Sequence, residues 1–119
     1  MKRIRQHAEN SQLNDIAAFI TFLESKLDII SWDYSVDWCS GENASTIEAS
    51  SPYPSHVSHK EFCHLYKSIF QTIDGEFKIQ TSKGYVRLLA VDSSFWEIES
   101  DIHGIEEAFE KKYGKFTNP

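Results

Sequence analysis

Residues 76–101 read EFKIQTSKGYVRLLAVDSSFWEIESD, and their pattern decides the fold class. Phe77 and Ile79 alternate with Lys78 and Gln80, and Ser82-Lys83-Gly84 then offers a turn whose glycine tolerates positive φ. Residues 85–91 are the longest apolar and β-branched run in the chain, interrupted only by Arg87. Asp92-Ser93-Ser94 turns that run into residues 95–99, where Trp96 and Ile98 alternate with acidic residues. Short runs joined by tight polar connections predict an antiparallel meander. The middle run is apolar on both sides, so it is expected to be the most buried strand.

Upstream, Trp32, Tyr34, Val36 and Trp38 alternate without a break with Asp33, Ser35 and Asp37. That period predicts a strand with an aromatic face buried and a short row of carboxylates facing solvent or a partner. Residues 46–49 read as a short returning strand, and Pro52 and Pro54 make residues 50–55 a loop. Helical spacing appears in three places. Ser11 is the expected N-cap of a first helix carrying Leu13, Ile16, Ala17, Ile20, Leu23 and Leu27, widened by Phe19 and Phe22. Ser58 and Glu61 fit a capping box before Phe62, Leu65, Tyr66, Ile69 and Phe70, with Asp74-Gly75 as the stop. Ser100 or Asp101 starts a third helix with Ile102, Ile105, Phe109 and Tyr113 on one face, closed by Gly114. The expected fold is therefore α+β, an antiparallel sheet of about four to five strands packed by three helices, because strands cluster with tight turns instead of alternating strictly with helices. Residues 1–10 read as a flexible basic N-terminus and 11–119 as a single domain, a size at which one core forms.

The formal net charge is −6, and it is unevenly placed. Lys2, Arg3 and Arg5 crowd the N-terminus, whereas no Lys or Arg occurs between Lys26 and Lys60. From Asp92 to Glu110 there are seven carboxylates and again no Lys or Arg. Such a surface repels nucleic acid, whose binding needs cations, and favours a basic partner. The plainer reading is a set of solvated faces that keep the chain soluble. Cys39 and Cys63 are the only cysteines, too few for a disulfide framework, and are expected to be reduced in the cytoplasm. The basic N-terminus is followed by no apolar run, so no secretory signal is expected, and no stretch is long enough for a membrane span.

Chemical motifs are few. His59 and Cys63 stand four apart on the second helix with His56 nearby, a soft metal edge that lacks the further ligands of a structural zinc site. Glu61 and His64 give one Glu-x-x-His, where a di-iron bundle needs two copies. Cys63 and His64 are neighbours that point about a hundred degrees apart on a helix, so they form no dyad. Asp92-Ser93-Ser94 has turn chemistry and no Gly-x-Ser-x-Gly context, and the glycines are too scattered for a phosphate loop. Arg87 is expected to pair with a carboxylate. Catalysis, a metal and a cofactor are therefore not expected.

The segments WDYSVDW and FWEIESD, with the size, acidity and α+β layout of the whole chain, resemble the small acidic immunity proteins that bacteria pair with contact-delivered toxins. The resemblance implies a cytoplasmic inhibitor of a cognate basic toxin, such as a nuclease. It would dock through Asp33, Asp37, Glu97, Glu99 and Asp101 by charge and aromatic complementarity. The alternatives are a small enzyme or ligand-binding domain with a pocket between sheet and helices, and a regulator or structural subunit whose acidic face is incidental.

Overall fold

The computed structural model describes residues 1–8 and 12–117. Among them the elements run β1 (Lys2–Arg5), α1 (Ile16–Glu24), β2 (Ile29–Gly41), α2 (Ala44–Glu48), β3 (Ser55–Ser58), α3 (His59–Tyr66), β4 (Ile69–Thr81), β5 (Tyr85–Val91), β6 (Phe95–Ser100) and α4 (Ile105–Tyr113). All pairings are antiparallel, in the order β1-β6-β5-β4-β2-β3. The class is the expected α+β, with six strands and four helices instead of four to five and three. No helix among the described residues is long and apolar enough to cross a membrane.

The meander of β4, β5 and β6 stands as its alternation predicts, with Phe77 opposite Leu88 and Leu88 opposite Ile98. Gly84 has φ +152, and a Cβ there would run into the Asp101 carboxylate, so the turn needs glycine. In the second turn Asp92 and Ser93 take φ of 47° and 61°, the left-handed pair that matches a twisted two-residue hairpin.

One face of the sheet holds the core. Trp32, Phe77 and Trp96 are fully buried, and three helices close over them. Phe19 of α1 meets Trp96 edge-on at 5.1 Å, Phe109 of α4 meets Phe19 at 5.4 Å, and Phe62 of α3 stacks on Trp32 at 3.8 Å. Burying each such side chain contributes about 1.5–3 kcal/mol. Among the described residues the other face has no helical cover, so β5, though none of its residues is exposed, is fully buried on one side only. Val86, Leu88 and Ala90 point into the core, while Tyr85, Arg87, Leu89 and Val91 stay half-buried on the open face.

A polar network ties the layers together beneath α1. Asp15, not Ser11, caps that helix, and Ser11 lies outside the described residues. The Asp15 carboxylate accepts from Ile16 N at 2.8 Å, Thr72 N at 2.8 Å and Thr72 Oγ1 at 3.0 Å. Thr72 Oγ1 has one proton and gives it to Asp15, so the Tyr66 hydroxyl donates to Thr72 at 2.5 Å. Gln6 Nε2 donates to Thr72 O at 2.9 Å. Burial outweighs these bonds and pushes the Asp15 pKa up to about 6.

Other departures have local causes. Where a loose N-terminus is expected, Lys2–Arg5 is an edge strand: Ile4 is fully buried opposite Trp96, and Phe116 N donates to Arg3 O at 2.9 Å. Residues expected to return as a strand form helix α2, which buries Ile47 and brings Glu48 Oε2 to Cys39 N at 3.0 Å. Helix α3 begins as expected, Ser58 Oγ accepting from Glu61 N at 3.2 Å, but ends at Tyr66. Ile69 and Phe70 then belong to β4, which runs back along the full length of β2, and Phe70 is exposed. Asp74 and Gly75 sit inside that strand, where a Cβ on Gly75 would lie 3.2 Å from Val36 Cγ2. Helix α4 starts at Ile105 and is closed by Gly114 at φ 88°.

Candidate functional site, an acidic groove on the open sheet face

The site begins with a fault in the β2–β4 ladder. From Val36 to Trp38 strand β2 advances two residues while β4 advances one, from Gly75 to Asp74; from Trp38 to Cys39 the imbalance reverses, with Ile73 the extra residue. Paired β-bulges of this kind shift which side chains face the core. Trp32, Tyr34 and Val36 are buried as their alternation predicts, but beyond Asp37 the phase flips, so Cys39 turns inward and Trp38 is 57% exposed. The expected four-residue buried face is thus a three-residue one.

The bulge sits beside a groove of about 590 Å³ over β2, β4 and β5, with Ser51, Pro52 and Pro54 as one wall. Leu89 and Val91 contribute apolar lining, and the charged lining is Asp33, Asp37, Asp74 and Glu76 against one ammonium, Lys78. Tyr53, between the two prolines of the wall, is exposed, and Trp38 lies opposite Asp74 in the ladder. Two exposed aromatics therefore belong to the segments that build the acidic groove.

Each carboxylate is held by a neighbour. Asp33 Oδ1 lies 2.7 Å from His56 Nδ1, Asp37 Oδ1 accepts the Ser51 hydroxyl, and Asp74 Oδ1 accepts the Asp92 N–H at 2.8 Å. Glu76 takes Arg87 in a two-pronged pair at 3.2 and 3.3 Å, and that hydrogen-bonded carboxylate pushes the Arg87 pKa up. Arg87 is therefore paired as expected. Lys78 Nζ rests over the Tyr85 ring, 4.9 Å from its centroid. Among the described residues, the three aspartates are engaged through Oδ1 only, which fixes each side chain and leaves Oδ2 for a donor.

The five carboxylates chosen from the sequence do not form one site. Asp33 and Asp37 line the groove. Glu97 pairs with Arg3 at 3.0 Å and Glu99 accepts the Tyr85 hydroxyl at 3.2 Å, both on β6. Asp101 accepts the Tyr85 N–H at 2.8 Å beside Gly84, a structural task. Sequence reasoning missed Asp74 and Glu76 because Asp74-Gly75 looks like a helix stop. Their alternation with Gly75 and Phe77 was the available signal.

The remaining candidates do not join a catalytic arrangement at the groove. His56 is taken by Asp33, and Cys39 is buried, its pKa pushed up to about 11 by burial first and then by Glu48 and Asp15. Burial, then the charge of Glu24, also raises the Cys63 thiol. Neither thiol has the lowered pKa of an activated nucleophile. Ser93 is built into its hairpin turn, its Oγ accepting from Gln71 Nε2 at 3.0 Å. Comparison of the chain with protein-family models, curated proteins and solved structures finds no match.

Proposed function

We propose that this chain is an inhibitory binding protein of the cytoplasm that neutralises a basic protein toxin, such as a nuclease, by seating a cationic segment of it in the open-face groove. The observation that carries this reading is the set of three aspartates, Asp33, Asp37 and Asp74, each fixed through Oδ1 with Oδ2 left for an incoming N–H. Carboxylates held in place lose less entropy on binding than free ones, and charge-assisted bonds to Lys or Arg are the stronger kind. Trp38 and Tyr53 add flat apolar area of the sort that anchors interfaces and takes cations on its face. Binding, and not catalysis, is the role this arrangement suits.

A small cationic ligand is the second reading, favoured by the groove's size of about 590 Å³, within the range of small-molecule sites. The groove lies on the face away from the helices, not between sheet and helices.

The test is a titration of isotope-labelled protein with a short lysine- and arginine-rich peptide, followed by amide chemical shifts. Shifts centred on residues 33–38, 51–54 and 74–78 that vanish in the Asp37→Asn, Asp74→Asn double variant support the reading. Shifts spread evenly over the acidic surface, unchanged in that variant, would exclude the groove. A polyamine in parallel separates the readings: tighter binding of the polyamine than of the peptide favours the small ligand.

A further inference from the structure

Away from the groove, Glu24 at the end of α1 meets His59 and Cys63, one turn apart on α3. His59 Nε2 lies 2.9 Å from Glu24 Oε2 and 3.7 Å from Cys63 Sγ, and the three ligand atoms all fall within 4.8 Å of one another. A tetrahedral zinc ion, with bonds of about 2.0–2.3 Å, holds such atoms about 3.3–3.6 Å apart. The N–O pair needs to open by about 0.4 Å, and Cys63 Sγ, which lies 3.7 Å from Nε2 and 3.8 Å from Nδ1 and so sits beside the ring, has to swing toward the in-plane side of Nε2 to complete the set. The scaffold is firm, since α3 is anchored by Phe62 stacked on fully buried Trp32. Glu24 is half-exposed and opens the cluster to solvent, while His59 is mostly covered.

We propose that Glu24, His59 and Cys63 bind a thiophilic divalent cation, zinc, with water completing the tetrahedron, so that the metal ties α1 to α3. This departs from the expectation of no metal drawn from the sequence, which shows the His59–Cys63 edge but not the approach of Glu24. On binding, Cys63 gives its thiol proton to solvent and coordinates as thiolate, Glu24 coordinates as carboxylate, and His59 coordinates through Nε2.

Trp32 sets the affinity. Its indole N–H donates to His59 Nδ1 at 2.9 Å, so the neutral ring carries its own proton on Nε2, toward Glu24. Zinc on Nε2 displaces that proton to Nδ1, where it then faces the Trp32 N–H. A metal-bound histidine ordinarily turns its second N–H to an acceptor; here it meets a donor. The site is therefore weaker than its ligands alone would make it, and Trp32 opposes occupancy.

The experiment is a titration of reduced, chelator-treated protein with cobalt(II) as spectroscopic probe and then with zinc in competition. One equivalent of cobalt with thiolate-to-metal charge transfer and the intense visible bands of a tetrahedral complex is expected. Cys63→Ser should abolish the charge-transfer band, and exposed Glu24→Gln, which leaves the core untouched, should weaken binding about 10–100-fold. Trp32→Phe keeps the ring stack and removes the opposing donor, so it should tighten binding about tenfold. Absence of the charge-transfer band in the unaltered protein, or cobalt binding indifferent to both Cys63→Ser and Glu24→Gln, overturns the site. Weaker or unchanged binding in a folded Trp32→Phe protein overturns coordination through Nε2.

Discussion

Trp38 stands directly opposite Asp74 across the β2–β4 ladder, one residue past the bulge at Asp37, with more than half of its surface in solvent. Trp32, six residues earlier on the same strand, is fully buried. The two indoles should therefore answer to different measurements. Trp32→Ala should lower unfolding free energy by about 3–5 kcal/mol, whereas Trp38→Ala should change it by less than about 1 kcal/mol. Denaturant unfolding checks both, and an equal loss for the two would mean that Trp38 packs against the core. Against a basic partner, Trp38→Ala should instead cost about 2 kcal/mol of binding.

The carboxylates also divide into two sets. Asp33→Asn with Asp37→Asn should slow association with a cationic partner and flatten its dependence on salt, because the groove charge steers encounter over roughly 10 Å at 0.1 M ionic strength. Glu97→Gln with Glu99→Gln, whose partners are Arg3 and Tyr85, should change the rate much less. Stopped-flow rates at several salt concentrations decide it; equal slowing by both pairs would point to a diffuse acidic surface.

Asp15 makes stability depend on pH in a direction opposite to that of a salt-bridged carboxylate. Its folded pKa is raised to about 6 from 3.8, so the folded chain holds a proton that the unfolded chain releases. The associated stability is complete below pH 3.8 and is lost as pH rises through about 6. It amounts to something on the order of 3 kcal/mol. Subtracting the unfolding curve of Asp15→Asn from that of the unaltered protein at each pH isolates this slope from the other carboxylates. A difference that stays flat between pH 4 and 6 would show that the hydrogen bonds from Ile16 and Thr72 cancel the burial.

The turn between β4 and β5 should be intolerant at both of its partners. Gly84→Ala forces a side chain to φ +152 and into the Asp101 carboxylate, at a cost of about 1–3 kcal/mol. Asp101→Ala leaves the Tyr85 N–H without its acceptor and should cost about 1 kcal/mol. Neither change should alter the association rate, which is measured in the same preparations.

The meander was legible in the sequence because each strand repeats at period two and each turn carries its own chemistry. Edge strand β1 was not: Lys2–Arg5 offers a single apolar residue, and only pairing with β6 and cover by residue 116 make it a strand. Trp38 misled because a bulge inserts one residue without a sequence mark, and a period-two pattern read through it assigns the next side chain to the wrong face. Asp33 and Asp37 could be chosen from alternation, but their convergence with Asp74 depends on the register of β2 against β4, set by tertiary packing. Glu24 was invisible to sequence for the same reason, lying thirty-five residues from His59.

Residues 115 and 116 lie against β1, so the first and last described segments share one margin of the sheet, whereas the groove over β2, β4 and β5 begins at β5, two strands away. At about 4.8 Å per strand that is a separation of roughly 10 Å. Fluorophores, biotin handles or surface tethers attached near either end would leave the groove facing the bulk. A peptide linker joining residue 117 to residue 1 would have a short span to cover, giving a template for circular permutants.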